Sequence, residues 1–207
     1  KCKSINFEKA KIYFKADTKF NEEAIRKPYP IFYKNHLTKV KKIKEIREKK
    51  FDINLNSNDN FFYEVNKNTE IINITLSDQK LGNIILKGNF NEDIQISVID
   101  NRSKNFLEKN ENFYKTWQDN YLTGCITFLD SNFNGGTITI KNAKCEDAIN
   151  IVRSKGYINK IDIKNSSSDG LDIDFSKIKI NKMNIENSGN DCSDFSYGNY
   201  QVKIAIL

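Results

Sequence analysis

The sequence predicts an all-β fold, a right-handed parallel β-helix with about 22 residues per coil and a small N-terminal α+β region. An aspartate motif returns every 22 residues, and a ladder of alternating apolar and polar residues returns with nearly the same period. A unit this short cannot bury its apolar face alone. Stacked copies bury a continuous core, which is the physical basis of a solenoid.

The aspartate motif occurs at residues 146–151, 168–173 and 190–195. Its recurring positions form two columns, Asp147/Asp169/Asp191 and Asn150/Asp172/Asp194. Equivalent residues in neighbouring coils should lie roughly 4.8 Å apart, the spacing between paired strands.

The second ladder occurs at residues 137–142, 160–165 and 182–187, and a further copy begins at Lys203. Alternation predicts strands with one buried face, so Leu171, Ile173 and Phe175 should point inward, and Asp172 and Asp174 outward. The polar clusters at 165–168 and 187–190 predict the turns between strands.

The N-terminal part is less regular. Strand-like segments lie at 5–15, 61–65, 71–76, 83–86 and 94–99. Apolar spacing predicts a helix from Asn35 to about Lys49, which would cap the solenoid. We therefore divide the chain into a strand and helix region (1–68), irregular early coils with an aromatic connector that contains Trp117 (69–121), and regular coils (122–207). The last coil, at Val202–Leu207, should be open at its C-terminal edge, so we expect further coils or another chain there.

Composition excludes several classes of site. The only histidine is His36 and the four cysteines form no Cys-x-x-Cys pair, which argues against zinc and against most histidine mechanisms. The cysteine spacing does not specify any disulfide. The net charge is +6, but the abundance of Lys, Asn and Ile is also what an AT-rich genome produces. We expect neither a membrane span nor nucleic-acid binding.

The aspartate columns have two interpretations. Stacked carboxylates raise one another's pKa or recruit a cation, which is typical of a functional site. Alternatively, Asp and Asn side chains at turns hydrogen-bond the backbone of the next coil. The sequence leaves both open.

Two segments carry a resemblance to the pectate-lyase-like β-helix superfamily. Ser168–Asp172 resembles the polygalacturonase motif Asn-Thr-Asp-Gly-Ile-Asp, and Gly189–Cys192 resembles that family's Gly-Asp-Asp-Cys. The resemblance implies Asp169 and Asp191 as catalytic acid and base, if the chain is an enzyme. The family's general-acid position is Asn190 here, and its later Gly-His-Gly and Arg-Ile-Lys motifs are missing.

We therefore expect an extracellular or cell-surface bacterial module that binds carbohydrate or serves a structural role, without catalysis of its own. The expected substrate-binding residues are Asp147, Asp172, Asp174, Asn190 and Asp194. The alternative is a hydrolase or lyase of an acidic polysaccharide. A lyase would use a base such as Arg153 or Lys155. No cofactor is expected, unless calcium is held by Asp172 and Asp194.

Overall fold

The computed structural model describes residues 71–78, 84–109 and 123–207, and the backbone of four strands within 12–15, 44–48, 53–57 and 62–66. The strands are β1 (Ile12–Lys15), β2 (Lys44–Glu48), β3 (Ile53–Ser57), β4 (Phe62–Asn66), β5 (Ile71–Leu76), β6 (Ile84–Phe90), β7 (Gln95–Asp100), β8 (Gly124–Leu129), β9 (Asn132–Asn134), β10 (Thr137–Lys141), β11 (Asp147–Val152), β12 (Lys155–Ser166), β13 (Asp169–Asp174), β14 (Lys177–Ser188), β15 (Ser193–Ser196) and β16 (Asn199–Ile206). One short helix, α1, spans Lys104–Lys109.

The chain forms a parallel β-solenoid of about five turns with about 23 residues per coil. Three faces surround its core. The first face contains β8, β11, β13 and β15, together with the start of β6. The second face contains β9, the end of β6 and the first residues of β12, β14 and β16. The third face contains β5, β7, β10 and the later residues of β12, β14 and β16.

Strand register confirms the repeat that the sequence predicts. Asp147 pairs with Asp169, and Asn150 pairs with Asp172, which pairs in turn with Asp194. On the third face, Thr137 pairs with Lys160. The predicted β-helix architecture is therefore confirmed as a parallel solenoid.

The core is an unbroken stack of aliphatic and aromatic side chains. Leu171 and Ile173 are fully buried, as predicted. Phe175 was expected to point inward, and that expectation is wrong. It lies at the corner after β13, half-buried with a positive φ of 48°, and its ring stacks on Tyr197 at 5.2 Å. The strand ends at Asp174, so the alternation does not extend to the next residue.

Hydrogen-bonded columns hold the corners. Asn142, Asn165 and Asn187 all have positive φ, which asparagine tolerates better than most residues. Each later amide donates Nδ2–H to Oδ1 of the previous one at 3.1 Å. The polar clusters predicted as turns therefore join neighbouring coils and also turn the chain from the third face to the first.

A buried serine column marks the corner between the first and second faces. The backbone N–H of Ser131 donates to Ser154 Oγ at 3.0 Å, and that of Ser154 donates to Ser176 Oγ at 2.9 Å. The next position is Gly198, where a Cβ atom would collide with the hydroxyl of Tyr200. That hydroxyl accepts the N–H of Ser176 at 3.3 Å and completes the column.

Antiparallel strands flank both ends of the solenoid. At the start, β4 pairs with β5, and β3 pairs with β2 and β6. At the other end, β1 pairs with Asn199–Val202 of β16. Of the edge predicted to be open, Val202–Leu207, this pairing covers Val202. The domain boundaries and the expected partner at the remaining edge stay predictions. The predicted helix is wrong over Lys44–Glu48, which pairs with β3 as a strand, and its other residues lie outside the described parts.

A buried clamp joins the residues that follow β7 and β10 to the start of β8. Asp100 accepts hydrogen bonds from Arg102 Nε at 2.8 Å and from the backbone N–H of Lys144 at 2.9 Å. Beside this ion pair, a disulfide joins Cys125 to Cys145. The clamp thus ties three successive coil segments together.

Candidate functional site

Acidic and basic side chains lie on different, adjacent faces of the solenoid. Strands β8, β11, β13 and β15 of the first face contain five aspartates and no lysine, arginine or histidine; the aspartates are Asp147, Asp169, Asp172, Asp174 and Asp194. The second face instead presents Lys155, Lys177 and Lys179. The two faces therefore offer different chemistry.

The first aspartate column does not form a uniform row of carboxylates. Asp147 is 4% exposed, and burial, followed by the charge of Asp172, raises its pKa to about 8. Asp169 Oδ1 accepts hydrogen bonds from Asn190 Nδ2 at 2.8 Å and from the backbone N–H of Asp191 at 2.9 Å. Asp169 therefore holds the turn of the next coil, as the structural alternative predicts. The catalytic roles of Asp169 and Asp191 stay a prediction.

Asp172 of the second column forms a carboxyl pair with Asp174, which lies two residues further along β13. Asp172 accepts a hydrogen bond from Asn150 Nδ2 at 3.0 Å and also forms a hydrogen bond with Asp174. Burial, followed by the charge of Asp174, raises the pKa of Asp172 to about 8. Burial also raises the pKa of Asp174, to about 6. Asp194, next in register, is exposed.

Calcium prefers oxygen ligands, and this column supplies only oxygen ligands. Asn150 Oδ1 and Thr127 Oγ1 are buried without a hydrogen-bond partner, and the two residues are paired in register. However, within the described ranges the one group of three acidic or sulfur ligands that lie within 4.8 Å of one another is Asp100, Cys125 and Cys145. The donor chemistry of the column thus suits calcium, but its carboxylates do not converge on one point.

The group formed by Asp100, Cys125 and Cys145 does not fit a metal ion. The two sulfur atoms are bonded to each other. Arg102 Nη2 lies 2.6 Å from Asp100 Oδ2 and 2.9 Å from Cys145 Sγ, so a positive charge already occupies the cluster. We assign this cluster a structural role.

The second face contains a shallow groove of about 620 Å³, which the sequence analysis did not predict. It is lined by Asn132, Phe133, Asn134, Lys155, Gly156, Tyr157, Lys177, Lys179 and Asn199. None of these lining residues is acidic, and Tyr157 is 39% exposed. Amide groups, ammonium groups and an accessible aromatic ring therefore meet on one surface.

The groove lysines differ from lysines on the third face. There, Lys160 pairs with Asp162 at 2.5 Å, and Lys164 pairs with Glu186 at 3.1 Å. Within the part of the chain that the structure describes, Lys155 and Lys179 form no ion pair. Their charges are thus exposed and uncompensated.

The two residues predicted as a possible lyase base, Arg153 and Lys155, do not join the aspartate columns. Arg153 donates two hydrogen bonds to Asp130 at 2.7 Å at the corner between the first and second faces. Lys155 lies in the groove, away from the aspartate columns. His36 and Trp117 lie outside the described residues.

No described helix is both long and apolar enough to cross a membrane. No protein-family model, curated protein or solved structure matches the chain.

Proposed function

We propose that the chain is a carbohydrate-binding solenoid that acts outside the cell or at its surface and has no catalytic activity of its own. The groove on the second face is the observation that carries this proposal. Tyr157 offers a ring face for a sugar, and the amides of Asn132 and Asn134 offer hydrogen bonds to hydroxyl groups. The cross-linked Cys125 and Cys145 support an oxidising compartment.

The residue types in the groove favour binding over catalysis. Polysaccharide hydrolysis generally requires two carboxyl groups on either side of the bond that breaks, and none of the described residues that line the groove has a carboxyl group. Asn190, at the position of the family's general acid, donates its amide hydrogen to Asp169. Membership of the pectate-lyase-like superfamily is part of the same proposal, supported by the solenoid and by the two resembling segments.

A glycan array probed with the full chain, followed by a reducing-sugar assay on the bound glycans, tests the proposal. We expect binding without cleavage. Tyr157→Ala should weaken binding by about tenfold, equivalent to about 1.4 kcal/mol. Tyr197→Ala is the matched control, because Tyr197 is 57% exposed but does not line the groove. Equal losses in both variants, or no glycan binding at all, would refute the proposal.

A hydrolase or lyase that acts on an acidic polysaccharide is the second candidate, favoured by the carboxyl pair on the first face. At neutral pH, the pair would hold one proton between its two carboxyl groups, because burial raises the pKa of both and a hydrogen bond joins them. A protonated and an ionised carboxyl group side by side are the requirement for acid–base chemistry. Cleavage of an acidic polysaccharide that is lost in Asp172→Asn and kept in Tyr157→Ala would establish this candidate.

A further inference from the structure

We propose that the Cys125–Cys145 disulfide of the clamp is redox-active. It exchanges with small thiols through a mixed disulfide on Cys145, and the solenoid stays folded while the bond is open. This site lies apart from the groove on the second face, so it goes beyond the proposed function. It follows from the charges around the two sulfur atoms, from their places in the fold and from the other contacts of the clamp.

A buried positive charge lies beside both sulfur atoms. Arg102 is 1% exposed, and its Nη2 lies 2.9 Å from Cys145 Sγ and 3.2 Å from Cys125 Sγ. An adjacent arginine stabilises a cysteine thiolate, and salt screens a buried charge only weakly. When the disulfide opens, the sulfur that becomes negatively charged therefore already faces a cation. A thiolate stabilised in this way is a better leaving group, so the bond opens faster than it would in neutral surroundings.

Asp100 distinguishes the two cysteines. Its Oδ2 atom lies 3.6 Å from Cys125 Sγ and 2.6 Å from Arg102 Nη2. In the reduced chain, this carboxylate would accept a hydrogen bond from the Cys125 thiol and would repel a Cys125 thiolate. Cys145, whose sulfur is the nearer one to Arg102, is therefore the cysteine that carries the negative charge after reduction.

The place of Cys145 in the fold makes it the first point of attack. Both sulfur atoms are covered, but Cys125 lies within β8, whereas Cys145 lies in the corner loop between β10 and β11 and is half-buried as a residue. Its neighbours Lys144 and Ser167 line a groove of about 560 Å³, and the Ser167 hydroxyl donates to the carbonyl oxygen of Cys145 at 3.5 Å. A local movement of this loop therefore brings a small thiol to Cys145, while Cys125 stays enclosed by its sheet.

The clamp has contacts that do not depend on the disulfide. The backbone N–H of Lys144 donates to Asp100 Oδ2 at 2.9 Å, and Lys144 Nζ donates to the carbonyl oxygen of Asp100 at 3.1 Å. Gly124 pairs in register with Asp147, which holds the start of β8 against β11. Loss of the covalent bond thus lowers stability but leaves the two cysteines side by side, and the disulfide can form again.

The exchange is balanced in electrons and protons. The thiolate of a small thiol attacks Cys145 Sγ, the disulfide breaks, and Cys125 leaves as a thiolate beside Arg102 and takes a proton from solvent. A second small thiolate attacks the small-thiol sulfur of the mixed disulfide, and Cys145 leaves as a thiolate. Two electrons pass from two small thiols, which become a disulfide, to the two cysteines. The reverse sequence closes the clamp.

The test incubates the full, folded chain with mixtures of reduced and oxidised glutathione, stops the exchange with acid and locates adducts by peptide mass spectrometry. We expect an adduct on Cys145, none on Cys125, and an unchanged circular dichroism spectrum while the disulfide is open. Cys125→Ser should accumulate the adduct, because the thiol that would displace glutathione is gone. Cys145→Ser, the matched control, should form none.

The role of Arg102 has its own measurements. Asp100→Asn/Arg102→Gln removes both charges of the clamp and should slow the exchange at least about tenfold. Lys141→Gln, which removes an exposed lysine charge on the third face, should leave the rate unchanged. A measurement on the unaltered chain covers the case in which the double variant does not fold. After reduction, iodoacetamide should label Cys145 at least about tenfold faster than Cys125 at about pH 6.

Several outcomes would overturn the proposal. A disulfide that glutathione opens only when the chain unfolds would be purely structural. An adduct on Cys125, or equal labelling of the two cysteines, would refute the assignment of Cys145. Equally fast exchange in the charge-free double variant would refute the role of Arg102. All these results leave carbohydrate binding untouched, because that proposal depends on the groove of the second face.

Discussion

The first and second faces are built from the same coils and share the same corners, yet they use charge in opposite ways. On the first face, carboxyl groups are drawn into the structure: Asp147 is buried, Asp169 holds a turn, and Asp172 bonds to Asn150 and Asp174. On the second face, Lys155 and Lys179 stand in solvent without an ion-pair partner in the described part of the chain. In a solenoid, a repeated polar residue is available to a ligand only where it is not already used to stack coils.

The largest expected effect is a pH dependence that comes from the first face. The pKa values of Asp147 and Asp172 are raised from 3.8 to about 8, so the folded state holds protons that the unfolded chain releases. Stability should therefore be greatest below about pH 4 and fall as pH rises to about 8. Thermal unfolding followed by circular dichroism across this range measures it.

The control for the pH prediction is Asp147→Asn/Asp172→Asn, which removes the two groups whose pKa values are raised most and leaves Asp174. Its unfolding temperature should fall much less over the same pH window than that of the unmodified chain. If the unmodified chain instead becomes more stable between pH 4 and pH 8, these carboxyl groups are ionised in the folded state and the contrast between the faces is lost.

Loss of the disulfide in the clamp should destabilise both faces equally, because the clamp joins the coils that contain them. The disulfide closes a loop with a sequence separation of 20, so Cys125→Ala/Cys145→Ala should lower the free energy of unfolding by about 3 kcal/mol. Urea unfolding gives this value. A loss of glycan binding without a loss of stability would mean that the clamp shapes the groove rather than supports the fold.

A charge reversal on the second face should have a small effect on stability and a large effect on binding. Lys155→Glu should change the free energy of unfolding by about 0.5 kcal/mol or less, because Lys155 is exposed and has no ion-pair partner in the described part of the chain. It should weaken glycan binding, because Lys155 lines the groove. Lys141→Glu, on the third face, is the control for net charge. Unchanged or tighter binding by Lys155→Glu would show that Lys155 is not part of the glycan site.

The smallest expected effect is that of calcium on the first face. Because its carboxylates do not converge on one point, calcium should raise the unfolding temperature by less than about 1 °C beyond magnesium at equal ionic strength. A larger, calcium-specific rise that disappears in Asp172→Ala would place a cation on the first face. That result would favour the enzyme candidate.

The sequence was sufficient for the repeated coils because each aspartate and each apolar position recurs at a fixed offset. It was insufficient where tertiary pairing or a corner overrides the local pattern. Lys44–Glu48 has helical spacing but pairs with β3, and Phe175 continues an alternation that ends one residue earlier. The stacking of β7 on β10 was hidden as well, because 36 residues separate Asp100 from Thr137.

Of the candidate site, the sequence identified the acidic columns and missed the basic groove. Aspartates in a repeat stand out individually. The sequence suggested Lys155 only as a possible lyase base and did not distinguish Lys177 and Lys179 from the many other lysines of the chain. Register then placed Lys155 and Lys177 side by side. The offset of 22 between Lys155 and Lys177 was the signal that could have revealed them.

At the fourth position of the serine column, Gly198 replaces serine and the Tyr200 hydroxyl supplies the hydrogen bond. This replacement limits how the coils can be rearranged. Coils that contribute Ser131, Ser154 and Ser176 supply interchangeable hydroxyl groups, so a copied coil inserted among them would find the same bonds above and below. The coil that contains Gly198 obtains its hydroxyl from Tyr200, a side chain that fills the space where another serine would lie. Whole coils can thus be inserted between the serine-containing coils, whereas the coil that contains Gly198 cannot be exchanged with them.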